Sequence, residues 1–235
     1  NYGGIPKNVW LHVTDKLYQT LPLYSNLKTT GVYVYADDIH VKSRKATIHA
    51  ESQIKNEHRK NKFVSYQVEV IDRDKNTLKA AAEMENLHFW SWGYGYLYTI
   101  KTSLWVDNKK VDEVSTRTGF RKTRFGDGKI WLNDRVLQMK GFAQRTSNEW
   151  PGVGMSIPAW LSDYSNGLMT ACNANLVRWM HVTPWKQDVE SCDRVGLIQA
   201  MPAGDAEKDC VGRQWEQRKE LMRDAIIYNR NNPSI

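Results

Sequence analysis

Cysteine is scarce. The 235 residues hold three, Cys172, Cys192 and Cys210, all in the second half. Three thiols cannot pair completely and their spacing fits no zinc pattern, so neither a disulfide framework nor a cysteine metal site is expected. They read as buried thiols. No apolar run approaches the roughly 18 residues of a membrane span, so no membrane partner is expected. Asn1-Tyr2-Gly3-Gly4 lacks a charged-then-apolar leader, so no secretion signal is expected. Without an initiator Met, the sequence reads as cut from something longer. No Arg/Lys run is interleaved with aromatics, which argues against nucleic acid as a partner. The basic excess lies wholly in residues 1–125, with 20 Lys+Arg against 13 Asp+Glu; residues 126–235 carry 13 of each. Scattered on alternating segments, those charges read as a solvated face.

Tryptophan is plentiful instead. Ten are present, five of them from Trp150 to Trp215. A flat apolar ring with one donor suits the C–H face and polar edge of a sugar; core packing is the other use of such rings.

Residues 31–125 carry period-two runs: 31–35, 46–54, 63–70 and 97–106. Turn residues separate them, among them Asp72 to Asn76 and Asp107-Asn108-Lys109. Short alternating strands at this spacing predict an antiparallel sandwich. Five of the six histidines (His12, His40, His49, His58, His88) fall here singly and read as structural or surface groups.

The pattern changes after Gly126-Asp127-Gly128. Strands are predicted at 138–142, 175–180 and 197–201, alternating with helices at 158–173, 187–195 and 212–228. The first helix carries Trp160, Leu161, Tyr164, Leu168 and Met169 on one side, and the last has Trp215, Met222, Ala225 and Ile226 at helical spacing. This βα alternation predicts a parallel sheet wrapped by helices. An open doubly wound sheet is one closure, but no glycine-rich phosphate loop follows the first strand. A (β/α)8 barrel is the other, and 110 residues hold only about three of its units. The fold expected is therefore multidomain β plus α/β: an immunoglobulin-like β-sandwich followed by the first part, about three βα units, of a TIM (β/α)8 barrel.

Barrel chemistry gathers just after the C-terminal strand ends. Those positions hold Arg145, Glu149 and Trp150 after the first strand, His181 after the second, and Asp205 after the third. Arg178 lies within the second strand, one alternation from Trp179, where it can reach the barrel interior and orient carboxylates. Polar groups between aromatic walls suit a polyhydroxylated ligand, so these six are the candidate substrate-binding residues. His181, the only histidine after residue 125, can hydrogen-bond a hydroxyl or stabilise developing charge. Surface, capping or core roles are the alternatives for each.

Five stretches in order resemble glycoside hydrolase family 2, the β-galactosidases and β-glucuronidases. Gly3 to Leu11 resembles the closing strand of its N-terminal jelly roll. Leu97-Tyr98-Thr99-Ile100 with Gly119-Phe120-Arg121 resembles late strands of its sandwich, and Asp127 to Gly141 its approach to the barrel. Val177-Arg178-Trp179-Met180-His181-Val182-Thr183-Pro184 resembles its Val-Arg-x-x-His-x-x-Pro strand, and Asn232-Pro233-Ser234-Ile235 the lead into its fourth strand. The resemblance implies residues 1–24 as the end of the jelly roll, 25–125 as the sandwich and 126–235 as the N-terminal part of the barrel. It implies retaining hydrolysis of terminal β-linked sugars, β-galactosidase-like, on an oligosaccharide or polysaccharide substrate. An oligomer is compatible with it. It places acid/base and nucleophile glutamates beyond Ile235, so no catalytic residue is assigned and the chain alone is expected to be inactive. It matches His181 to a sugar-contacting histidine. Two-carboxylate chemistry requires no cofactor, and no metal-ligand cluster is visible. Ala143-Gln144-Arg145-Thr146 departs from the family's Asn-Arg-His-Glu, and Asp205, Glu207 and Lys208 stand where its β-galactosidases carry a histidine. By association, a polysaccharide-degrading enzyme is expected outside the cytoplasm. A non-catalytic carbohydrate-binding or adhesion module built on the sandwich is the alternative function.

Overall fold

A computed structural model describes residues 4–5, 7–78, 83–145, 152–153, 156–202 and 210–235. The first half is antiparallel. Strand β1 (Leu17–Gln19) and the turn of helix α1 (Tyr24–Leu27) precede β2 (Val32–His40), β3 (Lys45–Ser52), β4 (Ile54–Asn56), β5 (Ser65–Ile71), β6 (Thr77–Leu78), β7 (Glu83–Met84), β8 (Tyr98–Val106) and β9 (Lys109–Thr118). One sheet runs β2-β3-β7, a second β6-β5-β8-β9, and β1 pairs with β4. The alternation read from the sequence puts one side of each sheet inside. Val32, Val34, Ala46 and Met84 of the first sheet meet Val70, Tyr98 and Ile100 of the second, with Leu87, Phe89, Tyr96 and Phe120 filling in. The β8–β9 turn is Asp107-Asn108, both at positive φ (49° and 61°), the two-residue geometry that matches strand twist.

A three-stranded antiparallel sheet follows: β10 (Thr123–Gly126), β11 (Lys129–Leu132) and β12 (Arg135–Leu137). Then the chain turns parallel. Strand β13 (Gly141–Gln144), helix α2 (Ala159–Ala171), β14 (Leu176–Trp179), α3 (Lys186–Val195), β15 (Ile198–Ala200) and α4 (Arg213–Asn229) alternate, and β13-β14-β15 is one parallel sheet. Val177 and Trp179, fully buried, face the helices with Cys192, Leu197 and Met169. Strand β13 begins at Gly141 rather than Gln138. The Asn175 amide donates to the Gln138 carbonyl (2.8 Å) and accepts from the Lys140 N–H (2.8 Å), so side-chain bonds serve that stretch.

The helix faces differ from their apolar pattern. In α2 Leu161, Ser162 and Asn166 are buried, while Trp160, Tyr164 and Leu168 are exposed. The reason is a polar seam with α3. Ser162 Oγ donates to Asp188 Oδ1 (2.7 Å), Asn166 Nδ2 to Ser191 Oγ (3.0 Å), and Arg194 forks onto Asp163 (2.8–3.2 Å). In α4 Ala225 is buried, but Trp215, Met222 and Ile226 are exposed; the helix docks through Asp224, which accepts the Ser25 N–H at 2.7 Å. Of the cysteines only Cys192 is buried; Cys172, at the open end of α2, is exposed and Cys210 half-buried.

The two halves are stitched together. Trp90 Nε1 donates to the Asp193 carbonyl (2.8 Å), and the Gly93 N–H to the Gly196 carbonyl (2.9 Å). Gly196 ends α3 at φ 72°, and a Cβ there would lie 2.7 Å from the Tyr94 nitrogen. The Asn231 amide accepts from the Val34 N–H and donates to the Val32 carbonyl, each at 2.9 Å, closing the free edge of β2. Across this junction a cavity of about 480 Å³ is lined by Tyr33, Arg121, Met222 and Ile235, among others.

Candidate functional site

Parallel register puts the C-terminal ends of β13, β14 and β15 on one rim. Ala143, Arg178 and Ala200 lie side by side across the three strands. They share the face opposite the helix layer, with Gly141, Leu176 and Ile198 one step below. Arg178 is exposed, flanked by two alanine side chains that leave its guanidinium space, and among the described residues of these three strands is the one charged group on this face. Among the described residues it has no hydrogen-bond or ion-pair partner. The alternation from Trp179 thus places Arg178 on the face away from the helices.

His181 follows β14 and is half-buried. Its φ is 69°, and the Val182 N–H donates across it to the Met180 carbonyl at 2.8 Å. A three-residue bond around a positive φ is the rare, strained γ-turn. Strain of this kind persists where surrounding structure imposes it, and it collects at functional sites. Loops after β14 and β15 are tied together by Thr183 Oγ1, which donates to the Pro202 carbonyl (3.0 Å). Arg145, the first residue after β13, is exposed at the same rim. Glu149, Trp150 and Asp205 lie outside the described residues. The described rim segments (145, 180–185 and 201–202) contain no Asp or Glu.

One rim group was not legible from the sequence. Lys7 Nζ lies 3.3 Å from the centroid of the Trp185 ring, next to the start of α3. The atom is shielded from solvent and has no hydrogen-bond partner among the described residues. Burial lowers its pKa, opposed by the charge of Asp188. A contact between residues 178 positions apart has no local signal.

Among the described residues no group of three or more His, Cys, Asp or Glu is placed to hold a metal ion, and no helix is long and apolar enough to cross a membrane.

A two-sheet sandwich feeding a parallel sheet defines an immunoglobulin-like domain followed by the start of a TIM-barrel domain. Comparison with known proteins agrees. The family model "Glycosyl hydrolases family 2" matches residues 12–121, and that for "Glycosyl hydrolases family 2, TIM barrel domain" matches 123–232. The chain belongs to glycoside hydrolase family 2 and is a piece of a larger protein of that family. A beta-glucuronidase of Formosa agariphila is 33% identical over 252 aligned residues, covering 100% of this chain and 26% of the relative. A beta-galactosidase of Thermoanaerobacterium thermosulfurigenes is 24% identical over 246, covering 100% and 33%. A solved structure described as a beta-glucuronidase from glycoside hydrolase family 2 superposes with TM-score 0.84 at 31% identity, over 94% of this chain and 25% of that one. The chain thus spans about a quarter to a third of the length of these relatives.

Proposed function

We propose that the whole protein hydrolyses terminal β-linked sugars of an oligosaccharide or polysaccharide with retention, and that β-galactosides are its substrates. Arg178 carries this reading: a cation with no partner among the described residues, on the inner face at the rim where barrel enzymes bind substrate. In the proposal His181 and Arg178 contact the sugar or orient the reacting carboxylates, and Arg145, Glu149, Trp150 and Asp205 complete the rim. Retention needs two carboxyl groups about 5–5.5 Å apart. The proposal puts both glutamates outside residues 1–235, so that this chain alone is inactive. The division into 1–24, 25–125 and 126–235 belongs to the same proposal.

A second reading replaces the galactoside by a β-glucuronide. It is favoured by the same arginine, since a guanidinium is the natural partner of a sugar carboxylate, and by the name of the 33% identical relative. The test is hydrolysis of nitrophenyl β-galactoside and β-glucuronide by the whole protein and by residues 1–235. Turnover of the galactoside by the whole protein alone supports the proposal. Turnover of only the glucuronide selects the second reading, and turnover of neither refutes both.

A further inference from the structure

Behind the inner face, on the helix side of the sheet, lies a polar cluster that the rim does not use. At its centre is Asp193, in the last turn of α3 and 2% exposed. Asp193 Oδ1 accepts from the Ser234 N–H (3.1 Å) and Ser234 Oγ (2.5 Å), and Oδ2 accepts from Asn232 Nδ2 (2.5 Å). Asn232 Oδ1 takes a bond from Lys186 Nζ (2.6 Å). Ser234 Oγ also accepts from Gln199 Nε2 (2.6 Å), whose Oε1 accepts from Trp179 Nε1 (2.7 Å). The Gln199 N–H donates to the Ser234 carbonyl at 2.8 Å. That backbone bond ties the turn at residues 233–234 to the outer edge of β15.

A buried carboxylate is an expensive way to hold a chain. Desolvating an ion costs several kcal/mol, and apolar packing of the same volume is often as stable. Burial pushes the Asp193 carboxyl up to about 6 even though three hydrogen bonds and the Lys186 charge favour its ionised form. What the carboxylate supplies, and an apolar side chain cannot, is direction. It fixes a side-chain amide, a backbone N–H and a hydroxyl of residues 232–234 at set angles, while Gln199 ties the same hydroxyl to β14 and β15.

We infer that Asp193 is a positioning residue: it sets the register of Asn232–Ser234 against β15, and so the place at the rim where the residues following the fourth strand emerge. This rests on the proposed retaining glycosidase and on the resemblance to family 2, which implies an acid/base glutamate just after the fourth strand. Asp193 touches neither substrate nor reacting atoms; it acts through the strand it holds.

A displaced general acid has a signature that general destabilisation lacks. An alkyl glycoside needs its leaving oxygen protonated, whereas a dinitrophenolate departs without a proton. The experiment measures kcat/KM of the whole protein, wild type and Asp193→Asn, on the dinitrophenyl and methyl β-glycosides of one sugar. Asn keeps the volume but replaces one acceptor oxygen by a donor. The loss on the methyl glycoside is expected to exceed that on the dinitrophenyl glycoside by about ten-fold or more, since a misplacement of about 1 Å can cost about 100-fold. Equal losses on the two substrates, or none, overturn the inference. If Asp193→Asn does not fold, Ser234→Ala is read the same way. It removes the hydroxyl bonds to Asp193 and Gln199 but leaves the backbone ones, and a smaller bias of the same sign is expected; equal losses there also overturn the inference. If wild type hydrolyses neither glycoside, the glycosidase reading fails and the inference falls with it.

Discussion

Replacing Gly196 by alanine probes the junction between sandwich and barrel with little else disturbed. Gly196 sits at φ 72° and a Cβ there meets only backbone: the Tyr94 nitrogen at 2.7 Å, the Gly93 nitrogen at 2.8 Å and the Ser91 oxygen at 3.0 Å. None of these atoms can rotate away. Gly93 is the internal control. It stands at φ 68° with nothing within 4 Å of its Cβ. Both alanines lose about 1–2 kcal/mol to the left-handed backbone, and both gain the same unfolded-state restriction. Only Gly196→Ala must also push the 91–94 loop off the end of α3, weakening the Gly93 to Gly196 bond, worth about 1 kcal/mol. Gly196→Ala should therefore lose about 1–2 kcal/mol more than Gly93→Ala, a further drop in Tm of about 2–8 °C for a chain of this size. Urea denaturation followed by tryptophan fluorescence, with calorimetric Tm alongside, makes the comparison. If Gly196→Ala is no worse than Gly93→Ala, the junction is not closely packed and this account of it is wrong.

Asp193 predicts a pH dependence. Its folded pKa, about 6, lies above the unfolded value of about 3.9, so the native state holds the proton longer. Its contribution to stability is then greatest below about pH 4 and declines as pH rises through about 6, by up to about 3 kcal/mol. Denaturation midpoints of wild type minus Asp193→Asn, taken at pH 4 and pH 7, should shift toward the variant at the higher pH; a constant difference contradicts the raised pKa. Trp179→Phe keeps most of a fully buried ring but strands the Gln199 Oε1, which should cost about 1–3 kcal/mol in urea melts. Phe63→Ser should leave stability within about 0.5 kcal/mol, because Phe63 is 99% exposed; a larger loss would mean the ring packs in solution.

Much of the architecture was legible because local chemistry and fold agree. Period-two runs became β2, β3, β5 and β8, and Asp107-Asn108 became a two-residue turn between paired strands. The alternation that buries Trp179 also placed Arg178 on the inner face. The buried sides of α2 and α4 were not legible, since an apolar stripe locates the hidden face only where the neighbour is apolar. Here α3 offers Asp188, Ser191 and Arg194, and polar side chains of α2 turn toward it. His181 was marked by its position ahead of Pro184, but its positive φ depends on how the loop closes. The Asp193 cluster joins residues about 40 apart, and Lys7 meets Trp185 across most of the chain; neither pairing leaves a trace in any short window.

The amide of Asn231 makes β2 a built-in sensor. The Val34 N–H points away from β3 and is held by a side chain from just past α4. Its hydrogen exchange should be slow only while the helical layer stays seated on the sandwich, and it should quicken when the halves part even if each stays folded. One proton, followed by deuterium uptake, would then time the separation of the two halves apart from their unfolding.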